Sequence, residues 1–470
     1  MKMNQIIHGD ALEELRKLPG DSVDCVVTDP PYGYSFMGKD WDKAVPSVEI
    51  WKESLRVLKS GAFAFVMSSP RQNVLSQMIV RLGEAGFNMG FSSIYWCYAS
   101  GFPKACNISK SVDKRLGLKR EVIGKTQPFG RENRSWQGAA TGTALQGGWK
   151  TSEQTQEGVD LTVPSSQEAK LLDGSYGGFQ PKPAVEVILV CMKPLNSKTF
   201  VDQALKNGHG VTWLDDARIP FQNEDDIDKA TPFAPEKINI SIFGGDGERG
   251  CALPNLEGRF PANLLVSDDI LNDGTTTQSN IRPISKTELS NPEGTKQADI
   301  YGKYGQQLTV RGCEDEGSFS RYFDLDKWFA EAVKKLPKEV QETFPFLITP
   351  KASKSERNKG LEKLPTKHSP HGNFEGRNLD NSANHLGGLQ SGEAKNFHPC
   401  VKPLALMSYL ITLGSRVGDV VVDPFCGSGT TCLSAKMLGR HYIGIEREAE
   451  YVKIAEARVE GLKTLKEFIL

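Results

Sequence analysis

The sequence is short of the features that would tie it to a membrane, an oxidising compartment or a zinc centre. Its nine cysteines include no CxxC pair and no neighbouring His at ligand spacing. That leaves neither a disulfide framework nor a metal site to read, and it fits a reduced intracellular protein. No apolar run approaches the ~18 residues of a membrane helix. The longest, Val185–Met192, has Glu186 inside it. Met1 to Pro19 is charged throughout and lacks the apolar core of a signal peptide, so a cytoplasmic protein without membrane contact is expected. An excess of one charge is missing too: 57 Lys and Arg stand against 58 Asp and Glu, a net charge of −1. The chain therefore does not coat nucleic acid by bulk charge, and any such surface must be local.

What is present is the rhythm of an α/β fold, on 470 residues that allow a sizeable core and an inserted module. Short runs rich in Val, Ile and aromatics predict strands at Gln5–His8, Val23–Thr28, Ala62–Ser68 and Ser92–Tyr98. Pro46 opens a helix with Val48, Trp51, Leu55 and Leu58 on one face and Gly61 just past its end, and another helix is expected from about Asn73 to Gly83. Gly101 to Pro183 loses periodicity, and its middle reads as a long loop or partly disordered segment before one more strand, Val185–Cys191. Leu195 to Leu347 reads as an irregular insertion with a small core of its own, followed by a polar stretch from Ser353 to Asn396. The rhythm resumes with a helix opened by Pro403, strand Val420–Val422, a helix from about Gly429 to Leu438, strand His441–Ile445 and a last helix. Both halves of the rhythm are expected to build one largely parallel sheet.

The sharpest local signal is Asp29-Pro30-Pro31-Tyr32, directly after the strand Val23–Thr28, where α/β folds place ligands. The exocyclic amine of a base is a poor nucleophile because its lone pair is delocalised into the ring. Acceptors that hold its hydrogens favour attack, and the Asp29 carboxylate with the Pro30 carbonyl can supply them. Pro30 and Pro31 stiffen the turn and bring no N–H to compete. Tyr32 offers a ring on which an extruded base can stack. The bland alternative is a proline turn with a capping Asp.

A second strand end, Asp423-Pro424-Phe425-Cys426-Gly427-Ser428-Gly429-Thr430, passes into a helix. It lacks the phosphate-reaching Lys of a P-loop and is not a full GxGxxG. Glu446, at the end of the following strand, is placed to accept both hydroxyls of a ribose.

The two motifs in this order resemble the β-class amino-DNA methyltransferases, in phage- and prophage-like members above all. His8-Gly9-Asp10, Lys182-Pro183-Ala184-Val185-Glu186, Lys351-Ala352-Ser353 and His398-Pro399-Cys400-Val401-Lys402-Pro403 fit the same family, and Ser100–Lys104 and Gly258–Asn263 look like stretches common in its phage members. The resemblance implies a Rossmann-like S-adenosylmethionine-dependent methyltransferase sheet, circularly permuted, with a large inserted target-recognition module. It divides the chain into a catalytic half at 1–104, a basic flexible insertion at 105–180, a core strand at 181–194, a target-recognition module at 195–345 and a cofactor-binding half at 346–470. It implies that Phe425, Gly427, Ser428, Gly429 and Thr430 wrap the methionine half of S-adenosylmethionine, that Asp423 faces its amino group and that Glu446 holds its ribose. Asp10 would accept from the cofactor's adenine amine, although Asp10 and Glu13 also make a capping-box pattern. Lys402 would lie near the methionine carboxylate, although a Lys before a helix-opening proline is also an ordinary solvated end. Catalysis needs no metal and no thiolate on this reading.

The implied activity is methylation of adenine N6 in double-stranded DNA, because members with Asp first in the tetrapeptide mostly modify adenine; cytosine N4 is the alternative. From Gly101 to Lys150 ten basic residues stand against three acidic ones, a local surface for phosphates or a solvated linker. RNA or protein-amide methylation uses a related Asn-Pro-Pro-Tyr loop but usually places the cofactor motif first. A DNA-binding protein on a retired scaffold would show damaged motifs, and both are intact. A second copy of the chain, a cognate restriction endonuclease and a bacterial or phage origin are left open.

Overall fold

The computed structural model describes residues 1–34, 42–98, 106–125, 160–179, 184–221, 257–267, 271, 277–279, 315–317, 319–343, 354–362, 364, 367–368, 393–398 and 400–462. Ser100–Lys104, Lys182-Pro183 and Lys351–Ser353, together with most of Gly124–Gln180 and Ser353–Asn396, on which several expectations fell, lie outside the described residues. Two compact units result, one of residues 1–99, 184–364 and 398–470 and one of residues 100–183 and 365–397.

The larger unit is built on an eight-stranded sheet. Its strands are β1 (Gln5–His8), β2 (Val23–Thr28), β3 (Leu58–Ser68), β4 (Ile94–Cys97), β5 (Val185–Met192), β6 (Leu264–Val266), β7 (Val420–Asp423) and β8 (His441–Glu446), in the order β1-β8-β7-β2-β3-β5-β4-β6. Only β5 runs against its neighbours β3 and β4; every other pairing is parallel. β2 is buried at all six positions, as its unbroken apolar character requires of a central strand covered on both faces. On one face Val26, Ala64 and Val66 pack with helices α1 (Ala11–Lys17), α2 (Val48–Val57) and α3 (Gln72–Ala85). On the other, Cys25, Val27, Phe63 and Phe65 pack with α6 (Leu404–Gly414), all eleven residues of which are buried.

The junction between α2 and β3 departs from the expected one. The helix ends at Val57, and Leu58 pairs with Val23 instead of completing a helical face. Gly61 is inside the strand, not past a helix end. Its φ of +82° and the approach of Gly210, whose nitrogen would lie 2.8 Å from a Cβ, require glycine there.

The described parts of 195–345 are not a separate body. After α4 (Phe200–Asn207), β6 joins the sheet edge against β4, and α5 (Leu325–Lys334) sets Trp328 edge to face on Tyr409 of α6 at 4.8 Å. Helices α7 (Thr430–Met437) and α8 (Ala449–Glu460) flank β8.

The smaller unit has a helix at Ile108–Arg115, an antiparallel hairpin of Glu121–Lys125 with Asp160–Val163, and a short helix at Gln167–Leu171. These elements flank residues 126–159, the middle of the stretch read as a long loop, which lie outside the described residues. Buried Asp113 organises it, accepting from the backbone N–H groups of Ser165 and Ser166 at 3.0 and 2.9 Å and from the Ser166 hydroxyl at 2.7 Å. Arg120 turns toward Asp113 at 3.7 Å, with 11% of its side chain exposed, so it is not an open phosphate contact. Among the described residues no helix is long and apolar enough to cross a membrane.

Candidate active site

Two loops that are distant in sequence leave the sheet side by side. β7 pairs with β2 through Val421–Cys25 and Val422–Val26, and Thr28 donates its hydroxyl to Asp423 Oδ1 at 2.6 Å across 395 residues of sequence. The tetrapeptide after β2 and the glycine loop after β7 thus share one end of the sheet, the end where parallel α/β folds bind ligands.

In the tetrapeptide, Tyr32 donates its hydroxyl to Asp29 Oδ1 at 2.7 Å, and Lys402 donates to Oδ2 at 2.7 Å. Burial first, then the charges of Asp29 and Glu186, push the Tyr32 phenol well above its ordinary pKa, so it remains a donor. Asp42 steadies the turn from behind. Its buried carboxylate accepts the backbone N–H groups of Tyr32, Gly33 and Tyr34 at 2.8, 2.9 and 3.2 Å. The Tyr32 and Tyr34 rings meet edge to face at 6.0 Å.

The glycine loop is shaped from both sides. Gly427 has a φ of +54°, and a Cβ there would fall 2.9 Å from His398 Nε2, so no other residue fits without displacement. Its N–H donates to Glu446 Oε2 at 2.8 Å, and the N–H of Glu448 donates to Oε1 at 2.8 Å. Each carboxylate oxygen keeps further acceptor capacity, which suits a ribose diol. Burial raises the Glu446 pKa to about 7 against the two backbone bonds that lower it. From beneath, Arg458, 1% exposed, donates to the Ser428 carbonyl at 2.7 Å, the Ser428 hydroxyl at 3.0 Å and the Thr430 hydroxyl at 3.1 Å. Gly429 caps α7, and the Phe425 ring meets Trp51 edge to face at 6.1 Å.

Three expected roles look different in place. Asp423 is turned inward: Oδ1 accepts from Thr28 and from the Phe425 N–H at 3.0 Å, and Oδ2 accepts from Thr431 at 2.7 Å. It ties β2, β7 and α7 together, and burial lifts its pKa to about 6. Lys402 is no solvated end, because its ammonium pairs with Asp29 and, at 3.1 Å, with Glu186. Burial opposes that charge, but the two carboxylates outweigh it and raise the Lys402 pKa above the ordinary value. Asp10 Oδ1 caps α1 through the N–H groups of Leu12 and Glu13 at 2.9 and 3.3 Å. Cys426 is no thiolate: its contact with Cys432 at 3.7 Å and its burial push the thiol up. Among the described residues no group of His, Cys, Asp or Glu is arranged to hold a metal ion.

Asp42, Glu186 and Arg458 belong to the site without being part of either motif. Glu186 left a trace as the one charge in the apolar run Val185–Met192, and Arg458 as a charge seven residues after Tyr451 and four after Ile454 on an otherwise apolar helix face.

The sequence profile of a family described as DNA methylase, of the N6/N4 type, matches residues 23–457, which include both loops. The chain belongs to this DNA methylase family. Among curated relatives, the Type II methyltransferase M.HinfI of Haemophilus influenzae is 47% identical over 75 residues, 16% of this chain and 21% of the relative. The Type II methyltransferase M2.DpnII of Streptococcus pneumoniae is 51% identical over 64 residues, 14% of this chain and 24% of the relative. The chain thus aligns with less than a quarter of the length of either. Of solved structures, the cytosine-N4-specific PvuII DNA methyltransferase superposes with a TM-score of 0.37 at 14% identity, covering 97% of this chain and 86% of that one. The M1.HpyAVI–SAM complex gives 0.32 at 15% identity, with 97% and 98% covered. Superpositions this loose do not bear on the site.

Proposed function

We propose that the chain is a site-specific DNA methyltransferase that moves a methyl group from S-adenosylmethionine to adenine N6 in double-stranded DNA. The observation that carries this reading is the Asp29 carboxylate, held between Tyr32 and Lys402 beside a glycine loop that is itself bonded to Glu446.

S-adenosylmethionine, when bound, supplies an electrophilic methyl. Glu446 would hold its ribose, and the backbone from Phe425 to Thr430 would follow its methionine half. The flipped base stacks on Tyr32, which offsets part of the few kcal/mol that extrusion costs. Asp29 and the Pro30 carbonyl accept the hydrogens of the target amine and draw the nitrogen toward a pyramidal, nucleophilic shape. The nitrogen would then take the methyl in line as the methyl–sulfur bond breaks and a neutral thioether is left, and the surplus proton would leave afterwards by way of Asp29. The choice of adenine rests on Asp standing first in the tetrapeptide, since both amines meet the same acceptors.

The test is incubation of the full chain with unmethylated genomic DNA and labelled S-adenosylmethionine, followed by mass spectrometry of the nucleosides. N6-methyladenine is expected. N4-methylcytosine in its place overturns the choice of base, and no methylated nucleoside overturns the reading.

A further inference from the structure

Lys402 does not serve Asp29 alone. Its Nζ stands 2.7 Å from Asp29 Oδ2 and 3.1 Å from Glu186 Oε2, and the three side chains are only 10%, 15% and 19% exposed. Glu186 is the second residue of β5, the reversed strand of the sheet. Because Val187 of β5 lies opposite Ser68 at the end of β3, the start of β5 sits at the same end of the sheet as the end of β2, where Asp29 emerges.

Nothing in the transfer as described so far uses Glu186. Its Oε2 is buried without a hydrogen-bond partner, so the approach of Lys402 is an ion pair lacking hydrogen-bond alignment. A carboxylate oxygen buried with so little hydrogen bonding is a cost to the fold. Costs of that kind gather where charge has work to do in a reaction.

The work follows from counting charge. Lys402 and Asp29 alone would make a neutral pair, with the ammonium drawing electron density from the oxygen that must accept from the target amine. The amine gains positive charge as it attacks, and a nearby ammonium opposes that gain. Glu186 makes the set one ammonium against two carboxylates, net −1. We infer that Glu186 is a positioning residue for methyl transfer, acting through Lys402 to keep Asp29 a strong and correctly aimed acceptor. This role rests on the proposed function.

The experiment uses the full chain and its Glu186→Gln, Glu186→Asp and Lys402→Met variants, with Glu186→Gln also placed in the Lys402→Met background. Single-turnover transfer is measured at saturating DNA and S-adenosylmethionine, alongside cofactor affinity by calorimetry and the thermal midpoint. Glu186→Gln should slow transfer on the order of 10- to 100-fold with cofactor affinity within about twofold of the parent. Glu186→Asp should recover part of the rate, and in the Lys402→Met background Glu186→Gln should cost less than about threefold, because its target is gone. A purely structural brace would lower the thermal midpoint and leave the transfer rate of the folded fraction unchanged. Transfer by Glu186→Gln within about twofold of the parent, or an equal loss in both backgrounds, overturns the inference. A parent chain that methylates no DNA overturns the proposed function and this role with it, and is distinguished by appearing in the unsubstituted protein.

Discussion

Tyr32 reaches back three residues to donate its hydroxyl to Oδ1 of Asp29 at 2.7 Å, so the ring proposed to receive the base is anchored by the carboxylate proposed to receive its amine. The ring and the hydroxyl make separable contributions. Tyr32→Phe keeps the stacking surface and should transfer methyl within about fivefold of the parent, whereas Tyr32→Ala should lose the roughly 1–3 kcal/mol of stacking, about 5- to 150-fold. Single-turnover rates on one DNA substrate check both.

Asp42 orders the same turn without being placed to touch a substrate in the proposed scheme. Asp42→Ala removes the acceptor of the Tyr32, Gly33 and Tyr34 N–H groups. A small displacement of Asp29 and Tyr32 should then lower the transfer rate on the order of 100-fold. S-adenosylmethionine affinity, measured by calorimetry, should stay within about twofold, since the glycine loop and Glu446 are separate from that turn.

Glu446 gives the cofactor site a pH signature. Burial lifts its pKa from 4.5 to about 7, so in the folded chain it is largely protonated through that window, where an unfolded chain would already be ionised. Folding stability from this group therefore falls as pH rises from 4.5 to about 7. Binding runs the other way, because a ribose diol donates to the carboxylate. Affinity for S-adenosylmethionine should rise, by at most about tenfold per pH unit, until about pH 7 and then level off. Glu446→Gln should bind more weakly and flatten the profile. Asp423, which titrates at about 6, stays present in both proteins and cancels in the comparison.

Asp423 should report on stability. Asp423→Ala strips the acceptor from the hydroxyls of Thr28 and Thr431 and from the Phe425 N–H. Leaving such donors unpaired in the interior should cost about 3–5 kcal/mol, read as a lower urea midpoint, while Asp423→Asn, which keeps one oxygen, should cost less.

The parts of this molecule that could be read from sequence are those written in local pattern. The buried run Val23–Thr28 and the apolar strand Val420–Val422 announce central strands, and each is followed at once by its loop. Helical spacing continues through Leu58, while pairing with Val23, a non-local contact, decides its state. β6 was invisible as a sheet member for the same reason, since its partner β4 lies far away in sequence. Lys402 sits where a helix-opening proline makes a lysine look ordinary, and its partner Asp29 is 373 residues distant. Asp42 has no periodicity to betray it. Motifs mark which loops meet, but the charges that tune them are brought in by the fold.

The most direct test of the account is methyl transfer by Asp29→Asn against the parent, with S-adenosylmethionine binding measured on both. The account predicts that Asn, which keeps the shape but loses the charge, binds S-adenosylmethionine with affinity within a few-fold of the parent and transfers methyl to DNA at least about 100-fold more slowly. Transfer by Asp29→Asn at the parent's rate would contradict it, because the carboxylate would then not be the acceptor on which the reaction depends.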